Sequence, residues 1–501
     1  MLYTSTRDNA VRVTAAEAIT RGISADGGLF VPVEIPQVDA AFLASLCEKS
    51  YVERAVSVLK LFLDEFGEDE LRAYAEGAYL GGKYSSGATV PLVSPDARHN
   101  ILELWHGPTC AFKDMALQML PYLLTGSAKK IGNDKKIVIL VATSGDTGKA
   151  ALEGFRDVPG TGILVFYPAD GVSPMQKLQM TTQEGKNVGV CAIRGNFDDA
   201  QTGVKKIFTD ERVKQTLAER GFAFSSANSI NWGRLAPQIV YYFSAYADMV
   251  NAGKVRLGEK IDVTVPTGNF GNILAAYYAK RMGMPVNKLI CASNANNVLT
   301  DFINTGVYDR NRKFYTTISP SMDILISSNL ERLLYMLSDG DDAYVRGLFA
   351  RLSAEGKYDV GERVADLVRE SFAAGFCSDE ETKRTIGALF AADGYLCDTH
   401  TGVAVAVYDG YVKKTGDGTP NVIASTASPY KFSAAVLEAV SGKKNDDGDE
   451  FAAVDELTRV TGVEAPAQLK TLRGKTPRFR DICTQGEMEA QVYRMLDGLA
   501  D

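Results

Sequence analysis

Cysteine is sparse in this 501-residue chain, and its placement excludes more than it offers. Cys47, Cys110, Cys191, Cys291, Cys377, Cys397 and Cys483 are odd in number, scattered and never spaced as Cys-x-x-Cys. Neither a disulfide framework nor a zinc ribbon fits, and a reducing compartment does. No run of about 18 apolar residues occurs, so no membrane-spanning helix is expected. The opening MLYTSTRDNAVRV has no secretory apolar core, which leads to the expectation of a cytoplasmic protein. Long Lys/Arg runs are also missing. With 54 basic against 62 acidic residues and a net charge of -8, a nucleic-acid partner is not expected, although a local basic pocket for a small anion is compatible. The acidic stretch SGKKNDDGDE lacks EF-hand spacing and reads as a solvated loop. Internal repeats and low-complexity segments are absent.

What remains is an ordinary globular composition, 46% hydrophobic and 23% charged. The length implies roughly two to four domains. Residues 1–95 carry two amphipathic helical patterns, at 38–63 and 67–81, and a tight turn at Asp26-Gly27-Gly28; they read as a small accessory domain. From residue 96 the rhythm changes to apolar strands, each followed by a turn and a helix, as in KKIVILVATSGDTGKAALEGF and KIDVTVPTGNFGNILAAYYAKRMG. Runs of Ile, Val and Leu without polar alternation imply strands buried on both faces, hence parallel sheets covered by helices. Ligands collect beyond the carboxyl ends of such strands. In NVIASTASPYKFSAAVLEAV, Ser428 is the expected N-cap and Pro429 the first helical residue.

Two of the turns are dressed for anions. VPTGNFGN, residues 265–272, turns on Gly268 and Gly271 and enters a helix, so its N–H groups and the helix dipole suit a phosphate; an ordinary strand-to-helix turn reads the same way. It is not the dinucleotide fingerprint, because Phe270 stands where that motif needs glycine. The second, VATSGDTGKAA, resembles a nucleotide-binding P-loop but has Thr143 in place of the first glycine and Ala150 in place of the metal-binding hydroxyl. What survives is a helix N-terminus carrying the hydroxyls of Thr143, Ser144 and Thr147, suited to a carboxylate. Asp146 in the same loop reads most simply as an N-cap, with the ligand as the alternative.

Lys113, in LWHGPTCAFKDMALQML, sits at the unfavourable end of a helix dipole among Cys110, Phe112 and Met115. Both the dipole and desolvation depress a lysine's pKa and make it a candidate nucleophile or Schiff-base former. An exposed lysine paired with Asp114 or Glu103 is the plainer alternative. A Schiff-base lysine with one phosphate turn and one carboxylate turn describes a pyridoxal phosphate enzyme acting on an amino acid. Thr426, ending a strand, offers a hydroxyl for the cofactor's ring nitrogen or a cap for the next helix.

These residues belong to a longer likeness. HGPTCAFKDMALQML, ATSGDTGKAAL, GVSPMQKLQMTT, SSANSINWGRLAPQIVYY, VPTGNFGNILAAYYAKRMG, SMDILISSNLERLL, DTHTGVA and STASPYKF, with the opening YTSTRDNAVRVTAAEAITRGISADGGLFVP, run in order along nearly the whole chain. The chain resembles the longer threonine synthases, within the tryptophan-synthase-like group of pyridoxal phosphate enzymes. The resemblance implies an α/β protein of fold type II, with a small N-terminal domain (1–95) and a catalytic region (96–501). That region would hold two parallel-sheet subdomains, the smaller at roughly 130–220. It implies Lys113 as the cofactor lysine, Gly268, Asn269, Phe270, Gly271 and Asn272 around the cofactor phosphate, and Thr426 at the pyridine nitrogen. Position 272 is often aspartate in such enzymes; the asparagine here can donate to a phosphate without like-charge repulsion. Asp8 stands where glycine is common, which touches only a local turn.

The implied reaction converts O-phospho-L-homoserine and water to L-threonine and phosphate, in a monomer or homodimer. Thr143, Ser144, Asp146 and Thr147 would hold the substrate carboxylate. For the substrate phosphate the candidates are Arg234, then Lys177 and Arg332, with Ser226, Asn228 and Asn231 joining that wall; each basic residue reads equally as a structural ion pair. His106 reads as a packed histidine or a substrate contact. One rival is a threonine dehydratase or cysteine synthase of the same group, against which the FKD context and the DGGLFVP segment favour a threonine synthase; the other is a non-catalytic relative that binds a phosphorylated ligand, against which the intact Lys113 argues.

Overall fold

A computed structural model describes residues 1–143, 145–170, 172–444 and 448–499. The expected apolar runs are strands, and they assemble into two parallel sheets. In the larger, six strands lie in the order Phe372–Phe376, Val286–Ser293, Ile261–Pro266, Asn421–Ser425, His99–Glu103 and Leu92–Val93, with only the last antiparallel. In the smaller, five parallel strands lie in the order Ile482–Cys483, Val188–Ile193, Thr161–Pro168, Lys136–Ala142 and Phe222–Ser225. Every residue of Ile261–Pro266 and Thr161–Pro168 is buried, as sheets covered on both faces require. The strand Ile482–Cys483 brings a distant segment back to the edge of the smaller sheet.

The N-terminal residues form a three-stranded antiparallel sheet, with Leu2–Ser5 between Asp8–Thr14 and Phe30–Pro32, followed by three helices. The pattern at 38–63 is two helices, Ala40–Cys47 and Tyr51–Phe62, not one. The break is chemical: Ser50 caps the second helix, and Glu53 reaches back to its backbone in a capping box. These elements share a core with the rest of the chain, where the rings of Tyr3, Phe62 and Tyr278 pack against Trp232. The Arg7–Glu331 pair at 2.7 Å adds a partly buried tie.

At the centre runs the helix Trp232–Asn251, buried along almost its whole length, as an all-round apolar helix must be. It packs on Gly271–Met282, on Tyr51–Phe62 and on the short helix Lys113–Leu117. One rigid element therefore connects the N-terminal helices to two of the turns singled out above. Among the described residues no helix is long and apolar enough to cross a membrane. The SGKKNDDGDE stretch lies partly outside the description, at residues 445–447.

Candidate functional site

Four turns leave the carboxyl ends of strands and meet between the two sheets. The first follows His99–Glu103 and carries Lys113. It is stitched to the neighbouring strand end, since the Phe112 N–H donates to Thr426 O at 2.8 Å and Ser428 N–H to Cys110 O at 3.1 Å. Asp114 turns back into the loop and accepts from the N–H and hydroxyl of Thr109 at 2.8 and 2.7 Å. Gly107 is obligatory there, because a Cβ would lie 2.6 Å from Asp114. Burial lifts the Asp114 carboxyl to about 6 against those two bonds.

Lys113 is the first residue of Lys113–Leu117 and is 9% exposed. Burial drops its amine to about 8; Asp146 pulls it up, while the charges of Lys431 and Arg234 push it further down. Neither plain partner weighed from the sequence is used: Asp114 serves Thr109, and Glu103 binds His106 and Tyr395, each at 2.7 Å. Nζ instead lies 3.5 Å from Asp146 Oδ2 and 3.3 Å from Ser321 Oγ.

The second turn follows Lys136–Ala142. Asp146 is not the N-cap expected; Gly145, at φ 145°, holds that position, and Asp146 opens the helix Asp146–Phe155 with its carboxylate free to face the site. Oδ1 binds Lys431 Nζ at 2.6 Å and Gln176 Nε2 at 2.9 Å. Burial works against ionisation, yet Lys431 and Lys113 hold this carboxyl far below the usual range. Thr143 also differs from expectation. Its oxygen accepts from the N–H groups of Gly145 and Gly148 at 3.0 and 2.9 Å, so it braces the turn. The Thr147 hydroxyl has no partner among the described residues, and Ser144 lies outside them.

The third turn follows Ile261–Pro266. Phe270, at φ 63°, holds the left-handed N-cap of Gly271–Met282. Asn269 O accepts from the N–H and side chain of Asn329, both at 3.1 Å, and Gly268 O from Ser327 at 2.8 Å. A Cβ at Gly268 would meet the Ser321 carbonyl at 2.6 Å, which backbone cannot yield. Among the described residues the N–H groups of Gly268 through Asn272 find no acceptor. Asn272 Oδ1 takes two tyrosine hydroxyls, and its buried Nδ2 has no partner among the described residues. In the fourth turn Thr426 is 7% exposed, with a hydroxyl that bonds nothing among the described residues.

The basic candidates separate. The guanidinium of Arg234, a residue 5% exposed, makes one hydrogen bond among the described residues, to Ala227 O at 2.7 Å, and finds no carboxylate partner among them; burial drops it to about 10. Arg332 is corrected from ligand candidate to structural clamp. Its donors go to Phe30 O at 3.0 Å, Asn329 Oδ1 at 2.6 Å and Ile230 O at 2.5 Å, leaving little for a ligand. Lys177 is exposed. Asn231 is likewise consumed, as the N-cap of Trp232–Asn251 bonded also to Ile19 O and Ser226 O. Ser226 accepts from Asn228 N–H, and the Asn228 amide side chain is unengaged among the described residues. His106 is packed on Trp105 at 4.2 Å and bonded to Glu103.

Sequence reasoning missed Ser321, His400, Gln176 and Lys431. His400 Nε2 accepts the Ser321 N–H at 3.1 Å, and Nδ1 meets Asp398 at 2.7 Å, which pins the Ser321 backbone between Lys113 and the glycine turn. The signals were polar residues inside GVSPMQKLQMTT, SMDILISS, DTHTGVA and STASPYKF, but nothing local says that they are buried.

Comparison with known proteins gives a consistent result. The family profile described as "Pyridoxal-phosphate dependent enzyme" matches residues 101–426, "Threonine synthase N terminus" matches 2–79, and "Threonine synthase, C-terminal" matches 401–489. Threonine synthase-like 1 from Homo sapiens is 42% identical over 439 residues; these are 86% of this chain, which spans only 58% of that longer relative. Threonine synthase from Saccharomyces cerevisiae is 36% identical over 92% of this chain and 93% of its own length. A crystal structure of PLP-bound threonine synthase from Brucella melitensis superimposes with a TM-score of 0.87 at 37% identity, covering all of both chains.

Proposed function

Since the chain belongs to the threonine synthase family of pyridoxal phosphate enzymes, we propose that it converts O-phospho-L-homoserine and water to L-threonine and inorganic phosphate. The observation that carries this reading is a buried amine, Lys113, beside a turn whose five N–H groups and one side-chain amide find no acceptor among the described residues. Such orphaned donors fit the cofactor's phosphate, and the unbonded Thr426 hydroxyl fits its ring nitrogen. Gly268, Asn269, Phe270, Gly271 and Asn272 would hold the phosphate. When bound, the cofactor supplies an electron sink for carbanions formed next to the substrate's amino group.

The protein's own part is proton handling and orientation. Lys113 Nζ is the attachment point for the cofactor's aldehyde, and the same Nζ, when free, takes and returns protons at the α, β and γ carbons. With its affinity near 8, it exchanges protons without a large penalty in either direction. Thr147, Ser144 and the amides of the Thr143–Gly148 turn bind the substrate carboxylate; Thr143 acts by bracing that turn, and Asp146 by holding charge beside Lys113. Arg234, buried without a counter-charge, takes the substrate phosphate, with the Asn228 amide beside it. We read it as a small-molecule enzyme of the cytoplasm, working as a monomer or homodimer, and the net charge of -8 speaks against a nucleic-acid partner.

The test is a phosphate-release assay with O-phospho-L-homoserine, with threonine identified as the product. Formation of 2-oxobutanoate from threonine as the main activity overturns the reading in favour of a dehydratase. A visible absorption band that persists in Lys113→Ala removes the lysine assignment.

A further inference from the structure

A second lysine shares the Asp146 carboxylate, and the sharing is unequal. Lys431 is 1% exposed, in the turn Pro429–Phe432 that follows the larger sheet's strand Asn421–Ser425. A lysine so deeply buried is costly unless its charge is answered. It binds Asp146 Oδ1 at 2.6 Å and the carbonyl of Thr109, in the lysine loop, at 3.1 Å. Gln176 takes a second bond on Oδ1, at 2.9 Å. Lys113 is left with Oδ2 at 3.5 Å, the weak end of hydrogen-bond geometry. Asp146 is thus held tightly by Lys431 and only loosely by Lys113.

We propose that Lys431 is a positioning residue: by occupying Asp146 it prevents that carboxylate from clamping Lys113 as an ammonium. The proposal rests on the reading of Lys113 as the cofactor amine. The charged groups around Lys113 Nζ are few. Asp146 comes from Asp146–Phe155, Lys431 from Pro429–Phe432 and Arg234 from Trp232–Asn251, while Asp114 on its own helix is turned away to Thr109. Asp146 favours the charged amine; Lys431 and Arg234 oppose it. Removing Lys431 withdraws a repelling charge and frees Asp146 to move onto Lys113. Both effects favour the protonated amine, which does not attack an aldehyde. The ion pair also joins the two sheets, since Asp146 follows the smaller and Lys431 the larger.

The experiment follows cofactor capture by the full-length, cofactor-free protein. Pyridoxal phosphate is added across a pH series, and growth of the visible band is timed, with no substrate present. Lys431→Met is expected to move the midpoint of the rate upward by at least about one pH unit, a roughly tenfold slower capture below both midpoints. Lys431→Arg keeps the charge and is expected to restore the wild-type midpoint. Asp146→Asn is expected to move it the other way, downward, and decides the matter if Lys431→Met does not fold. A Lys431→Met midpoint equal to wild type, with lower thermal stability only, overturns the proposal, as does an Asp146→Asn midpoint at or above wild type. Lys113→Ala is the separate control: if it still forms the band, the cofactor-lysine reading itself falls and the proposal with it.

Discussion

Tyr242 donates its hydroxyl to Asn272 Oδ1 at 2.5 Å, and that bond decides which way the amide faces. Tyr241 donates to the same oxygen at 2.6 Å, so Nδ2 is the end left for a ligand. Replacing Asn272 by Leu leaves the Tyr242 hydroxyl without an acceptor, whereas Tyr241 keeps Gln238 Oε1 at 3.1 Å. One stranded buried hydroxyl costs about 1–3 kcal/mol. Denaturant unfolding of the cofactor-free protein is expected to show that loss, and spectroscopic titration a cofactor Kd raised by roughly tenfold for the missing donor.

The two buried arginines are expected to fail differently. Arg332→Lys gives up a fork of bonds to Phe30, Asn329 and Ile230 that an ammonium cannot reproduce. A stability loss of about 2–4 kcal/mol is expected, with an unchanged KM in the surviving enzyme. Arg234→Lys loses one protein contact, so its fold should hold while the KM for the phosphorylated substrate rises by ten-fold or more, on the order of 1.4 kcal/mol. Steady-state kinetics beside thermal melts separates the two; a structural failure of Arg234→Lys with normal KM removes it from the substrate site.

The buried amine also makes stability depend on pH with a definite sign. Lys113 sits at about 8 when folded against 10.5 ordinarily. Between those values the unfolded chain holds more protons, so the folded state gains stability as pH rises through that window and is penalised in full below it. Lys113→Met lacks the effect. The stability difference, wild type minus Lys113→Met in the cofactor-free protein, should therefore grow by about 2 kcal/mol from pH 7.5 to 9.5, as measured by urea unfolding at both values.

His400 is expected to matter through the backbone it holds. His400→Leu strands the Ser321 N–H and removes one partner of Asp398, while Asp398 still caps its helix through Thr401 N–H at 3.1 Å. The expected cost is about 1–3 kcal/mol. Because the Ser321 carbonyl is the wall against Gly268, cofactor capture should slow as well. Unchanged capture kinetics in a destabilised variant would confine His400 to the core.

Local pattern made much of this legible. Uninterrupted apolar runs announced the strands, and Gly268 and Gly271 announced a turn that needs close backbone approach. Lys113 stood out because its charge opposes the helix it opens. What could not be read was the use to which each polar group is put. Arg234 and Arg332 look alike in sequence, and only the carbonyls brought by Phe30 and Ile230 consume the second. Asp146 looked like a cap until Gly145 was found in that role, and Lys431 pairs with a residue 285 positions away. The helix break at Ser50 was a local signal, overridden in the reading by amphipathic spacing on both sides.

The strand Ile482–Cys483 completes a sheet whose other strands all lie between Lys136 and Ser225. During synthesis, then, the smaller sheet waits with a bare rim while everything from 226 to 481 is being made. An open rim of unpaired N–H and C=O groups invites a neighbouring chain to pair there. Until residue 482 has been made, Ala192 and Ile193 lack the partner strand they have in the finished fold.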